Sequence, residues 1–238
     1  MSRKLAAVGL AVATAILYRR FVRPWHERWG ATDEEVNASL PGDDLIAEPA
    51  SQVTRAISID APTEAVWPWV IQMGADRGGF YSYDWLENLF MLDIHSAKDI
   101  VSHWQSREIG DLVHADAKGK GGWYVMDVQP NRALVMKMAD VKNDRPFTRD
   151  ERALMEFTWA FVLHKSNDRT ARLLVRERVA FSDGLGRFVL SPVAVVSFVM
   201  TQRMMRGIKE RAESRLQATA APTQVKQQAA DLGSPNKR

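Results

Sequence analysis

Apolar residues follow two periods along this chain. From 52 to 181 they mostly alternate with polar ones, and from 188 onward they recur every three to four positions. Alternation marks a strand with one buried face, and the longer spacing marks a helix. Residues 52–59 read as the first strand, with Val53, Ile57 and Ile59 on one side beside Arg55, and Thr54, Ala56 and Ser58 on the other. A brief strand follows at Leu112-Val113. Residues 123–129 and 133–139 form two more, joined by a short Pro130-Asn131 turn. The cleanest alternation runs over 155–164, where Met155, Phe157, Trp159, Phe161 and Leu163 share a face. Residues 170–181 come back as its antiparallel partner. There Ala171, Leu173, Val175 and Val179 face together, Arg172, Arg176 and Arg178 face away, and Glu177 interrupts the apolar row. A carboxylate in that position needs a partner, a raised pKa or a local twist that exposes it.

The helical segments bracket these strands. Thr32 with Glu35 three residues later predicts a capped helix start, ended by Pro41-Gly42. Asp60 and Pro62 predict the start of a second helix, carrying Ala65, Trp69 and Met73 on one face. Pro68 inside it predicts a kink or a split. After Gly78-Gly79, residues 84–92 read as a short amphipathic helix behind an aromatic cluster. Residues 188–216 predict one long helix, with Val189, Val193, Val196 and Met200 as its apolar stripe. The domain expected from this order spans 51–216, behind an anchor-like segment 1–22 and a linker with a short helix, 23–50. A disordered tail is expected over 217–238. The order implies an α+β fold: a curved antiparallel sheet burying one face against the long helix.

Charge sharpens the picture at the ends. The net charge is +3, yet residues 1–30 alone hold Arg3, Lys4, Arg19, Arg20, Arg23 and Arg28 against Glu27. The tail is also basic, so the body between them is acidic, which argues against a nucleic-acid-binding face. Residues 5–18 are uncharged and flanked by basic pairs. Fourteen helical residues rise roughly 21 Å, against a bilayer core of about 30 Å. A membrane anchor, a cleaved signal peptide and a helix packed on protein are the three readings of this stretch. The anchor is the leading expectation, a transmembrane helix holding the body on the cytoplasmic face of the membrane. A cytoplasmic domain is its alternative.

With no cysteine, disulfides and thiolate metal sites are excluded. His95, His103 and His114 lie among acidic residues without the spacing of a metal motif, and no GxGxxG or GxSxG occurs. No metal and no cofactor is therefore expected.

The stretch Ile59-Asp-Ala-Pro62, then Val66-Trp67 and Trp69-Val70, resembles the opening of the START-like, helix-grip superfamily. That superfamily includes polyketide cyclases/dehydrases, lipid-transfer domains and plant allergen-like binders. Residues 69–89, with 94–97 and Gly110-Asp111, are similar to an uncharacterised bacterial group within it. The resemblance covers about residues 51–216 and implies a cavity between sheet and helix. It carries no universal catalytic residue. The expected activity is binding or transport of a hydrophobic small molecule or lipid. Trp69, Met73, Phe80, Tyr81, Trp85 and Trp123 would line the cavity, with Trp159, Val196 and Met200 supplying further apolar contact. Tyr83 and Glu177 would anchor polar groups. One alternative is a cyclase- or dehydratase-type enzyme using Glu177 and His95 as acid and base on a polyketide-like substrate. Another is a membrane-associated interaction module without a ligand.

Overall fold

In a computed structural model, the chain is described over residues 9, 10, 13, 14, 16–147, 155–181 and 186–232. Side chains of the last segment are described over 194–218. Helices are α1 (Arg23–Glu27), α2 (Asp33–Asn37), α3 (Thr63–Ile71), α4 (Asp84–Leu89) and α5 (Gly186–Leu232). Strands are β1 (Ser51–Ile59), β2 (Leu112–His114), β3 (Gly122–Gln129), β4 (Ala133–Asp140), β5 (Arg145–Pro146), β6 (Met155–Asn167) and β7 (Thr170–Phe181). The sheet order is β1-β7-β6-β4-β3-β2, antiparallel throughout, with β5 paired to β4. It curves round α5, and the two short helices α3 and α4 follow β1.

The inner face is apolar for the reason the alternation gives. Ile59, Val125, Leu134, Met136, Phe161, Leu173 and Val175 all lie on it, packed with Met204, Met205 and Ile208 of α5 and with α3. Gly207 lets α5 come this close. A Cβ there would sit 2.2 Å from the Tyr81 carbonyl oxygen. Glycine inside a helix costs roughly 1 kcal/mol against alanine, and here the close contact offsets it.

The outer face is covered as well. Ala56, Ala133, Val135, Ala160, Val162 and Leu174 pack under Leu40, Leu45 and Ala31. The strap over 31–46 is held by the arginines of β7. Arg176 donates to the carbonyls of Glu35, Val36 and Ala38 and to Asp43 Oδ2 at 2.7–3.0 Å. Arg178 donates to the Ile46 and Ala47 carbonyls and pairs with Asp43. Thr32 and Glu35 form the expected capping box at α2, and Glu35 continues to Arg172.

Two local expectations resolve differently. The residue before α3 is Pro62, with no side-chain cap, while the Asp60 N–H donates to Glu213 instead. Of the kink or split expected at Pro68, the split does not occur: α3 runs on three residues to Ile71, so few helical hydrogen bonds are at stake. The α5 backbone continues as helix to Leu232.

The transmembrane expectation is corrected. Among the described residues, no helix is long and apolar enough to cross a membrane. The physical reason is length and charge: the uncharged run is short and arginines at 19, 20 and 23 close it. Residues 1–8, 11, 12 and 15 of the expected anchor lie outside the described residues.

Candidate functional site

Register fixes which side chains meet on the inner face. Val53 pairs with Glu177, Glu177 with Trp159, Trp159 with Met136, and Met136 with Val125, so one row crosses four strand junctions. The next row toward the start of β6 holds Val179 against Phe157, and Trp123 against Met138. Along β6 the same face changes character. Phe161 is fully buried, whereas Met155, Phe157 and Trp159 are only half-buried. Trp123 and Met138 are half-buried too. α5 fills the face beside Phe161 and Leu173, and among the described residues the face is less covered toward the start of β6.

The open end is aromatic. Trp159 lies 5.2 Å from Trp123, 4.9 Å from Phe161 and 6.1 Å from Phe80, centroid to centroid. Phe80 meets Trp123 edge to face. Phe80 reaches the cluster because Gly79, at positive φ, turns the chain after α3. A Cβ at that glycine would meet the His95 carbonyl oxygen at 2.8 Å. The indole N–H groups of Trp123 and Trp159 are both buried and have no hydrogen-bond partner among the described residues.

A polar set borders these rings. Glu177, 7% exposed, accepts from Arg55 Nη1 at 2.9 Å and Thr201 Oγ1 at 3.0 Å through Oε1, and from Ser197 Oγ at 3.2 Å through Oε2. Arg55, 1% exposed, also donates to the His26 carbonyl and stacks over Phe198. The carboxylate in the apolar row is thus paired, by an arginine on the adjoining strand and two hydroxyls of α5. Ser197 and Thr201 are four apart, so both face the sheet.

The other expected site residues take separate places. Trp69, Met73 and Tyr81 are buried in the main core. Tyr81 donates no acidity there: burial pushes its phenol well above the ordinary value, and Gln72 Nε2 donates to its oxygen. Tyr83 and Trp85 pair with each other, with Trp85 at 68% exposure. Val196 faces outward, and Met200 is half-buried on α5. His95 is exposed and bonds Asp93; it makes no contact with Glu177. The structure therefore gathers Phe80, Trp123, Trp159 and Glu177, and adds Phe157, Arg55, Ser197 and Thr201. Arg55 was legible as a charge on an apolar strand face. Ser197 and Thr201 carried no signal beyond their spacing in an apolar run.

Arg107 braces the loop after α3. It donates to the Ile71 and Met73 carbonyls, and its burial lowers its pKa to about 10. Glu87 is buried beside Ser82, and its desolvation raises its pKa.

No family model matches the chain, and no curated relative does either. Several solved structures align with it at low identity and low structural overlap. A hypothetical protein of Helicobacter pylori, jhp0584, is 9% identical at a TM-score of 0.43, over 74% of this chain and 96% of that one. The Zhui aromatase/cyclase of Streptomyces sp. R1128 is 12% identical at 0.40, over 70% and 95%. Truncated norcoclaurine synthase of Thalictrum flavum is 8% identical at 0.40, over 67% and 91%. This chain's own element order, its antiparallel register and the long α5 packed on the sheet give it an α+β helix-grip fold.

Proposed function

We propose that the open end of the grip binds a hydrophobic small molecule or lipid. One observation carries this reading. The inner face of β6 passes from fully buried Phe161 to half-buried Trp159, Phe157 and Met155 without losing its apolar character. Half-open apolar surface inside a fold is what ligand sites are made of. Trp123 and Trp159 supply ring faces for apolar contact. Saturable fluorescence of N-phenyl-1-naphthylamine in the purified full chain tests this. Binding should weaken at least fivefold in Trp159→Ala. A saturable signal unchanged by that substitution would place the probe elsewhere.

Enzymatic chemistry on the same ligand is a second reading, favoured by Glu177. Among the described residues its Oε2 accepts from the Ser197 hydroxyl alone, and the residue stands in register beside Trp159. Exposed His95 is not beside Glu177, so Glu177 would act with Ser197 or a ligand group. Incubation with a poly-β-ketone thioester, followed by mass, tests it. Loss of water in the wild type but not in Glu177→Gln supports chemistry; equal loss in both removes it.

A further inference from the structure

A second surface lies apart from the aromatic hollow, where the N-terminal segment meets the first half of α5. Leu17, Phe21 and Trp25 follow one another at four-residue spacing through the π-helical turn Tyr18–Val22 and into α1. Each is more than half exposed, as are Leu10 and Ile16. Trp25 is seated on α5 through Phe198, at 5.2 Å between rings. Val195 precedes Phe198 by three residues and Val199 follows Val195 by four, so they flank that contact on the helix. Val195, Val196 and Val199 are all exposed. Two elements distant in sequence thus join into one apolar surface.

Its border is basic. Arg19 and Arg20 are exposed, and Arg23 lies one turn beyond Arg19. The acidic residue of this segment, Glu27, is already paired with Arg23. Aromatic and aliphatic residues on one side of a helix, with arginines beside them, are what an element lying in a lipid headgroup layer requires. Such a helix does not span, so its short apolar length is no obstacle. Polybasic flanks add attraction to an anionic leaflet, about 1 kcal/mol per cation near the surface.

We propose that this composite face, α1 with its preceding turn and Val195, Val196 and Val199 of α5, docks the protein on an anionic lipid surface without crossing it. The segment is anchored to the domain from behind. Arg55 donates to the His26 carbonyl at 3.0 Å, and the His26 ring packs on Phe198. The docked element is therefore part of the folded body.

Co-sedimentation of the full chain with phosphatidylcholine vesicles, with and without one third phosphatidylserine, tests the proposal. Binding to the anionic vesicles should be at least tenfold tighter than to the neutral ones. Arg19→Glu with Arg20→Glu should weaken it at least tenfold, and so should Val195→Glu with Val199→Glu. The second pair sits far from the N-terminus in sequence, so a simple terminal tail would not respond to it. Wild-type binding retained by either double variant, or equal binding to both vesicle types, overturns the proposal. The same variants should keep their naphthylamine binding, since none of the four residues lies at the aromatic hollow. Failure of the docking surface is thereby separated from failure of the ligand site.

Discussion

Removing Arg55 while leaving Glu177 should be among the most damaging single changes to this fold. Arg55→Met keeps most of the side-chain volume and deletes the charge. It loses the 2.9 Å bond to Glu177, the 3.0 Å bond to the His26 carbonyl and the stack over Phe198. Hydrogen bonds to charged groups contribute roughly 1.5–3 kcal/mol each, and a desolvated cation–π contact about 1–2. Methionine recovers part of that by packing. Glu177 is left with two hydroxyls in a place nearly closed to water, and breaking one side of a buried pair costs about 3–5 kcal/mol. Urea unfolding at pH 7 should show a loss in that range. Arg55→Met with Glu177→Leu removes both charges and should return to within about 1 kcal/mol of the wild type. A single variant that loses less than about 1 kcal/mol, or a double variant no more stable than the single, would refute the reasoning. Either result would mean that the pair is hydrated.

Other expectations follow from the same geometry. Gly207→Ala should cost about 2 kcal/mol or more despite its better helix propensity, because its Cβ meets the Tyr81 carbonyl; thermal unfolding reads this. Arg176→Met should cost about 3 kcal/mol and expose residues 35–43 to limited proteolysis, since that arginine holds three strap carbonyls and Asp43. Burial lowers the pKa of His26 against the opposing pull of the Glu27 charge, with the Arg55 and Arg23 charges adding to the lowering. The unfolded chain therefore binds this proton more readily, and stability present above pH 6.5 should fall as pH drops through 6.5 toward the folded value. His26→Gln should flatten that slope in urea titrations. Desolvation raises the pKa of Glu87, so the folded state binds its proton more readily, and stability should decline as pH rises from about 4.5 through the folded value. Glu87→Gln should abolish that decline.

The strands were legible because alternation reports one-sided burial directly. The face shared by Met155, Phe157, Trp159, Phe161 and Leu163 is the inner face of β6, and β7 begins and ends at the expected residues. Glu177 was legible as an anomaly, and Arg55 as a charge on an apolar strand side. That the two neutralise each other depends on β1 lying beside β7, although they are far apart in the chain. Alternation says nothing about strand order. For the same reason the three arginines on the outer side of β7 gave no hint that they hold the strap over 31–46. Trp85 and Val196 show the limit of composition: an aromatic in a cluster and a valine in an apolar stripe both face water. The half-open state of Trp159 and Phe157 was not readable at all. It depends on how closely other elements cover that end of the sheet, which is set by tertiary packing and not by alternation.

The most direct measurement is native mass spectrometry of the full chain extracted gently, without detergent, from its own cells. The account predicts a co-purifying small hydrophobic molecule, present in the wild type and depleted in Trp159→Ala. A wild type that is consistently free of any adduct, or an adduct equally abundant in the variant, would contradict the claim that the open end of the grip is a ligand site.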